Sequence, residues 1–229
     1  MKAYIITTKD NKNRYDGIIN YPSCFPMPLR WYGPTPDEVD VPLWFISYNK
    51  DMLCGADPRR VYCCNLAKLY VAEYHFKNYP DEDLLMMEDD VFFTNDAEKK
   101  YVDFIREVPS NWNFIFLGGE HVNSKKYTPN LIAPGVLRCD HVIGNEAFII
   151  RAKAVEKYII HMDLNHENPY GYCDWHLIEL QKLLPTYAPL GFIAGQKDGW
   201  SVVQQAYLYK GIQKEFWYNS KNWKTLYTN

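Results

Sequence analysis

Leu84-Leu85-Met86-Met87-Glu88-Asp89-Asp90-Val91-Phe92-Phe93 is the run from which the fold is read. Four apolar residues lead into three consecutive acids, and three more apolar residues follow. The unbroken apolar run predicts a central parallel strand covered on both faces. Adjacent carboxylates repel one another, so acids closing a buried strand call for compensation, usually by a hard divalent cation. The alternative is a solvated acidic turn after an ordinary core strand. In a cation site, alternate residues of the extended chain point the same way, so Glu88 and Asp90 converge while Asp89 faces elsewhere. Oxygen-only ligands suit Mg²⁺ or Mn²⁺. Such an ion would bridge a diphosphate and stabilise the charge that develops on it as it leaves.

Working outward, residues 2–8 read as a first strand that breaks into the polar Lys9–Asp16, the kind of exit that carries ligand contacts in open α/β sheets. Residues 20–42 hold six prolines and Gly33 and read as irregular; Leu43–Tyr48 reads as a second strand. From Val61 to about Lys77 the spacing predicts a helix with Leu66, Leu69, Tyr70 and Tyr74 on one face. Past the acidic run, Thr94 or Asn95 is the expected cap of a helix that turns Ala97, Tyr101, Phe104, Ile105 and Val108 inward. Asn113–Leu117 is the next strand, closed by Gly118-Gly119, and 121–141 reads as loop or short hairpin. Ala147–Ile150 is a further strand leading into a helix with Val155, Tyr158, Ile159 and Met162 inward. A last helix covers about 174–184. Strands alternating with helices predict an α/β fold with a mostly parallel sheet.

The 229 residues fit one domain able to bury a core without staples. The net charge of −3 argues against a broad nucleic-acid footprint, which needs a basic face. Six cysteines without zinc spacing read as buried free thiols in a reducing compartment. With no apolar leader and no window approaching a membrane span, a cytoplasmic protein is expected. The 19 Tyr, 11 Phe and 7 Trp supply flat platforms for sugar rings or bases as well as core.

Acid-x-acid after an apolar strand resembles the GT-A glycosyltransferases, and the wider layout is similar to glycosyltransferase family 25, the lipopolysaccharide- and collagen-type galactosyl- and glucosyltransferases. The likeness is carried by Tyr4–Thr8 through Arg14, Glu88-Asp89-Asp90, Trp112 to Gly118, Ala147–Ile150 to Ala154, Asp174, Gln196 and Ser201. It spans residues 2–203. Two departures stand out: Ala67-Lys68 where the family typically has Ser-His, and no His after His176 for a metal. The resemblance implies a single GT-A, Rossmann-like domain over 1–229. Residues 1–120 would mainly bind the nucleotide sugar, and 121–229 would form the acceptor side and tail.

It further implies a nucleotide-sugar donor, a UDP-hexose, with Mn²⁺ or Mg²⁺ as cofactor and inverting transfer to a hydroxyl of a glycan acceptor. Glu88 and Asp90 would hold the metal, with Gln196 or Asp198 as a third ligand. Thr8, Arg14 and Asp89 would contact the donor, and Arg60 and Lys68, near Arg59, could meet its diphosphate. An inverting displacement needs a general base: Asp174 is the first candidate and Glu146 the second, although a helix cap and a surface ion-pair partner are their ordinary roles. His121, His141 and His176 read as structural. One rival acceptor is a hydroxylated DNA base, stacked on Trp31, Tyr32, Trp217 or Trp223 beside the lysines of the tail. Two others are a two-metal phosphoesterase and a noncatalytic sugar-binding domain.

Overall fold

The computed structural model describes residues 1–9, 18–49, 56–121, 126–163 and 173–197, together with the backbone of 199–201 and 206–208. In chain order the elements are β1 (Lys2–Thr7), β2 (Leu29–Tyr32), α1 (Leu43–Asn49), α2 (Pro58–Asn78), β3 (Leu84–Glu88), β4 (Val91–Phe93) and α3 (Ala97–Glu107). Then come β5 (Phe114–Phe116), β6 (Glu120–His121), β7 (Asn130–Ala133), β8 (Val136–Arg138), β9 (Val142–Ile143), β10 (Ala147–Ile150) and α4 (Ala152–Met162). The last are α5 (Cys173–Leu183), β11 (Thr186–Pro189), β12 (Ala194–Gln196), β13 (Gly199–Ser201) and β14 (Ala206–Leu208).

The chain is α/β, built on an 8-stranded sheet of order β2-β1-β3-β10-β5-β11-β8-β7. β2, β1 and β3 run parallel, as do β5 and β11. The expected mostly parallel sheet is nonetheless a mixed one. β10 is antiparallel to both β3 and β5, and β8 is antiparallel to both β11 and β7. For β7 and β8 the reason is local, since they form a hairpin, which fixes antiparallel pairing; β10 pairs with strands distant in sequence.

β3 is buried on both faces, as its composition requires. Leu84 and Met86 join the cluster that α2, α4 and α5 cover, with Tyr4, Phe114, Phe116, Phe148, Val155, Tyr158 and Leu177. Leu85 and Met87 point the other way, toward α3, with Ala3, Ile5, Ile115, Ala147, Ile149 and Phe104. This two-residue alternation decides where the acids go, since Glu88 continues the parity of Leu84 and Met86 and Asp89 that of Leu85 and Met87.

α2 starts where Asp57 accepts a hydrogen bond from the Arg59 amide (3.0 Å) and Pro58 occupies the first turn, and it ends where the Tyr79 amide returns to the His75 carbonyl (2.7 Å). Its buried stripe differs from the expected one. Leu66 and Leu69 are inward, but Tyr70 and Tyr74 are exposed, and Asn65, Lys68 and His75 take the buried positions. α1 replaces the strand expected over Leu43–Tyr48. It buries Phe45 and Asn49, one turn apart, with Phe45 in a small cluster with Ala56 and Val61. β2 replaces part of the expected irregular segment. α3 begins at Ala97 after Asp96, not capped by the Thr94 or Asn95 side chain. No described helix is long and apolar enough to cross a membrane.

Candidate functional site

The acids fan out as the strand ends. Parity sends Glu88 toward α2, where the Lys68 ammonium donates to its Oε1 at 2.8 Å. Asp89 faces the other way and accepts from the Thr7 hydroxyl at 2.7 Å. Thr7 follows Ile6, the register partner of Glu88 on β1, so this pair continues the β1–β3 ladder by one residue. Asp89 and Asp90 form a turn, and Asp90 turns to β12: its Oδ2 accepts from the Gln196 amide (2.9 Å) and its carbonyl from the Lys197 amide (2.8 Å). The antiparallel pairing of Gln196 with Val91 fixes that contact. The expected convergence of Glu88 and Asp90 assumed an extended chain through all three acids; the strand stops at Glu88.

Lys68 is 2% exposed against 27% for the Glu88 side chain, so its ammonium is sealed from solvent where the carboxylate is not. Burial, the largest single influence, favours its neutral form. The neighbouring Cys173 and Cys64 thiols and the Glu88 and Asp174 carboxylates together outweigh burial and hold the ammonium well above its ordinary range. Burial in turn pushes both thiols up, so near neutral pH they act as dipoles and Glu88 is the charge that balances Lys68. Lys68 Nζ also lies 3.2 Å from Cys173 Sγ.

Glu146 extends the antiparallel β3–β10 ladder by one residue: its carbonyl accepts from the Glu88 amide (3.1 Å). Its carboxylate lies over Gly144, where an added Cβ would meet Oε2 at 2.6 Å, and φ there is +87°. Gly144 and Asn145 lead into β10, and both donate to Asp174 Oδ1, Gly144 through its amide (3.1 Å) and Asn145 through its side chain. Asp174 sits in the first turn of α5, and Asn145 also donates to Cys173 Sγ (3.0 Å). The carboxyl end of β3 and the neighbouring starts of β10 and α5 therefore link Glu88, Lys68, Cys173, Asn145 and Asp174 in one chain of contacts, with Glu146 over Gly144 and with Asp89 and Asp90 turned to Thr7 and Gln196.

Sequence reasoning missed Thr7, Asn65, Asn145 and Cys173. Asn65 Oδ1 accepts from the Cys173 amide (3.1 Å), and its spacing of three from Lys68 on a helix was the available signal. Gln181 is another: from α5 it binds both the amide and the carbonyl of Val142 at 2.8 Å, as a neighbouring strand would. Thr8 follows β1, its hydroxyl buried with no hydrogen-bond partner among the described residues. Arg59 and Arg60 pair with Asp57 at the start of α2 (2.9 and 3.9 Å). His121 stacks on Phe192, and burial lowers it to about 4; His141 pairs with Asp140 at 3.0 Å, and His176 is fully buried. Trp31 packs on Tyr4 and Tyr74. Arg14, Asp198 and the tail with Trp217 and Trp223 lie outside the described residues.

Among the described residues no three His, Cys, Asp or Glu side chains are grouped to hold a metal ion. Mg²⁺ needs no such cage, since it is commonly bound by one or two carboxylates together with substrate phosphates and water. The donor set at the turn fits that mode. Gln196 gives its amide N–H to Asp90, and its Oε1 is buried with no hydrogen-bond partner among the described residues. An orphaned carbonyl oxygen beside a carboxylate suits a hard cation and is costly without one. No family model matches the chain, and comparison with curated proteins finds no similar sequence.

Proposed function

We propose that this chain is a metal-dependent glycosyltransferase of the GT-A kind, resembling family 25, that moves a hexose from a UDP-sugar to a hydroxyl of a glycan acceptor with inversion. The observation that carries this reading is the joint at Asp90, where a carboxylate from the end of a central strand meets the amide of Gln196 and its orphaned oxygen. Ligands of open α/β sheets bind outside the carboxyl ends of the strands, and this joint stands there. Asp90 and Gln196 would hold Mn²⁺ or Mg²⁺, which when bound neutralises charge on a leaving diphosphate. Glu88, expected to share that role, serves instead as the counter-ion of Lys68. Asp89, held by Thr7, and Thr8 line the adjoining end of β1, on the donor side.

Asp174 is the favoured base. Gly144 and Asn145 both donate to one oxygen of its carboxylate, which fixes its orientation for taking the proton of an acceptor hydroxyl. Glu146, on the neighbouring strand end, is the alternative. A donor-hydrolysis screen over UDP-, GDP- and CMP-sugars, with and without Mn²⁺, tests the reading. Metal-dependent release of sugar from one of them, lost in Asp90→Asn, is expected. If no nucleotide sugar is bound or turned over, the reading fails. Binding that persists in Asp90→Asn without turnover would point to a sugar-binding domain.

A further inference from the structure

We propose that Lys68 and Cys173 are an oxidation-sensitive pair that closes into a covalent N–O–S bridge, tying α2 to the first turn of α5. The two residues are 105 positions apart, yet Nζ lies 3.2 Å from Sγ. Both are buried, and each is fixed by further contacts. Glu88 Oε1 holds the ammonium at 2.8 Å, Asn145 Nδ2 donates to the sulfur at 3.0 Å, and Asn65 accepts from the Cys173 amide at 3.1 Å. Reacting atoms held this close in a fixed frame gain the advantage of an intramolecular reaction. One inserted oxygen spans the gap between nitrogen and sulfur with less movement than a direct bond between them would need.

Hydrogen peroxide is the oxidant. A first equivalent converts the Cys173 thiol to a sulfenic acid and releases water. A second takes two more electrons as the sulfenic oxygen bonds to Nζ, releasing two further waters. The N–H bonds lost supply hydrogen to that water, and the third ammonium proton leaves through Glu88, whose partly exposed carboxylate reaches solvent. In sum, ammonium, thiol and two peroxides give the bridge, three waters and one proton. Because Asp174 follows Cys173, the bridge clamps the helix start that carries the proposed base against α2. Only that consequence for activity rests on the glycosyltransferase reading; the bridge itself does not.

The test is peptide mass spectrometry on the full chain, reduced and then exposed to hydrogen peroxide. The expected product joins the Lys68 peptide to the Cys173 peptide. It is heavier than their sum by one oxygen less two hydrogens, is undone by dithiothreitol, and is absent from Cys173→Ser. Lys68→Arg keeps a cation for Glu88 and also lacks it. The oxidised protein melts at a higher temperature than the reduced one, and Cys173→Ser shows no such shift. A bridge without the added oxygen, a bridge from Cys64, oxygen on Cys173 alone, or unchanged peptides would each overturn the proposal.

Discussion

Lys68 and Glu88 form one ion pair, but only Lys68 is sealed from water. The two halves therefore differ in what their loss costs. Glu88→Gln strands a buried ammonium, and breaking a buried pair from that side costs about 3–5 kcal/mol. Lys68→Met leaves a carboxylate that water can reach, so it costs less, about 1–2 kcal/mol by the same reasoning once hydration is allowed. Denaturant titration of both variants checks the order, and a larger loss for Lys68→Met would contradict the assignment. At this scale the sequence announced the acids but not their partners. Lys68 was legible as a basic residue upstream of the strand, whereas its burial follows from helix phase. That phase was misjudged because Tyr70 and Tyr74 look like core residues.

α5 is held to β9 through an amide that stands in for a strand. Gln181, 1% exposed, satisfies both polar groups of Val142 in β9. Gln181→Leu keeps the apolar volume but leaves a buried N–H and C=O unpaired, each worth about 1–3 kcal/mol. A drop in unfolding free energy of at least about 2 kcal/mol is expected from chemical denaturation. β9 leads directly to Gly144 and Asn145, so the proposed activity should fall as well. The elements themselves were legible where apolar spacing was strong, as in β1, α2, β3, α3, β10, α4 and α5. They were not where spacing carried no period. Leu43–Tyr48 is apolar except for Ser47, and a short run of that kind fits a strand or a helix equally until its neighbours are known. β2 escaped because Leu29, Arg30 and Tyr32 are exposed on the sheet edge and, among the described residues, its only sheet partner is β1. The antiparallel insertion of β10 depends on a pairing between distant strands, which local pattern does not encode.

Over the whole molecule, two imidazoles, buried His75 and half-buried His121, set an acid limit on stability. Burial lowers both His121 and His75 below the ordinary 6.5, His121 to about 4. Below about pH 6.5 the unfolded chain takes up protons at these rings that the folded chain does not, so stability falls as pH drops. For His121 the loss runs from about 6.5 to about 4 and then levels off. Unfolding free energies across that range should decline, and His121→Phe, which keeps a ring against Phe192, should flatten the decline. The two-sided core was legible in the alternation around β3, and with it the side of the sheet on which each acid falls. The site's division of labour was not, because it depends on the strand ending at Glu88. In the proposed function, Asp90 and Gln196 hold a cation for a nucleotide diphosphate. Calorimetric titration of UDP into the protein, with and without Mn²⁺, tests it most directly. Binding should require Mn²⁺ and weaken at least about tenfold in Asp90→Asn, as when a group that holds or orients a metal is removed. UDP binding that is indifferent to Mn²⁺ and unchanged in Asp90→Asn would contradict it.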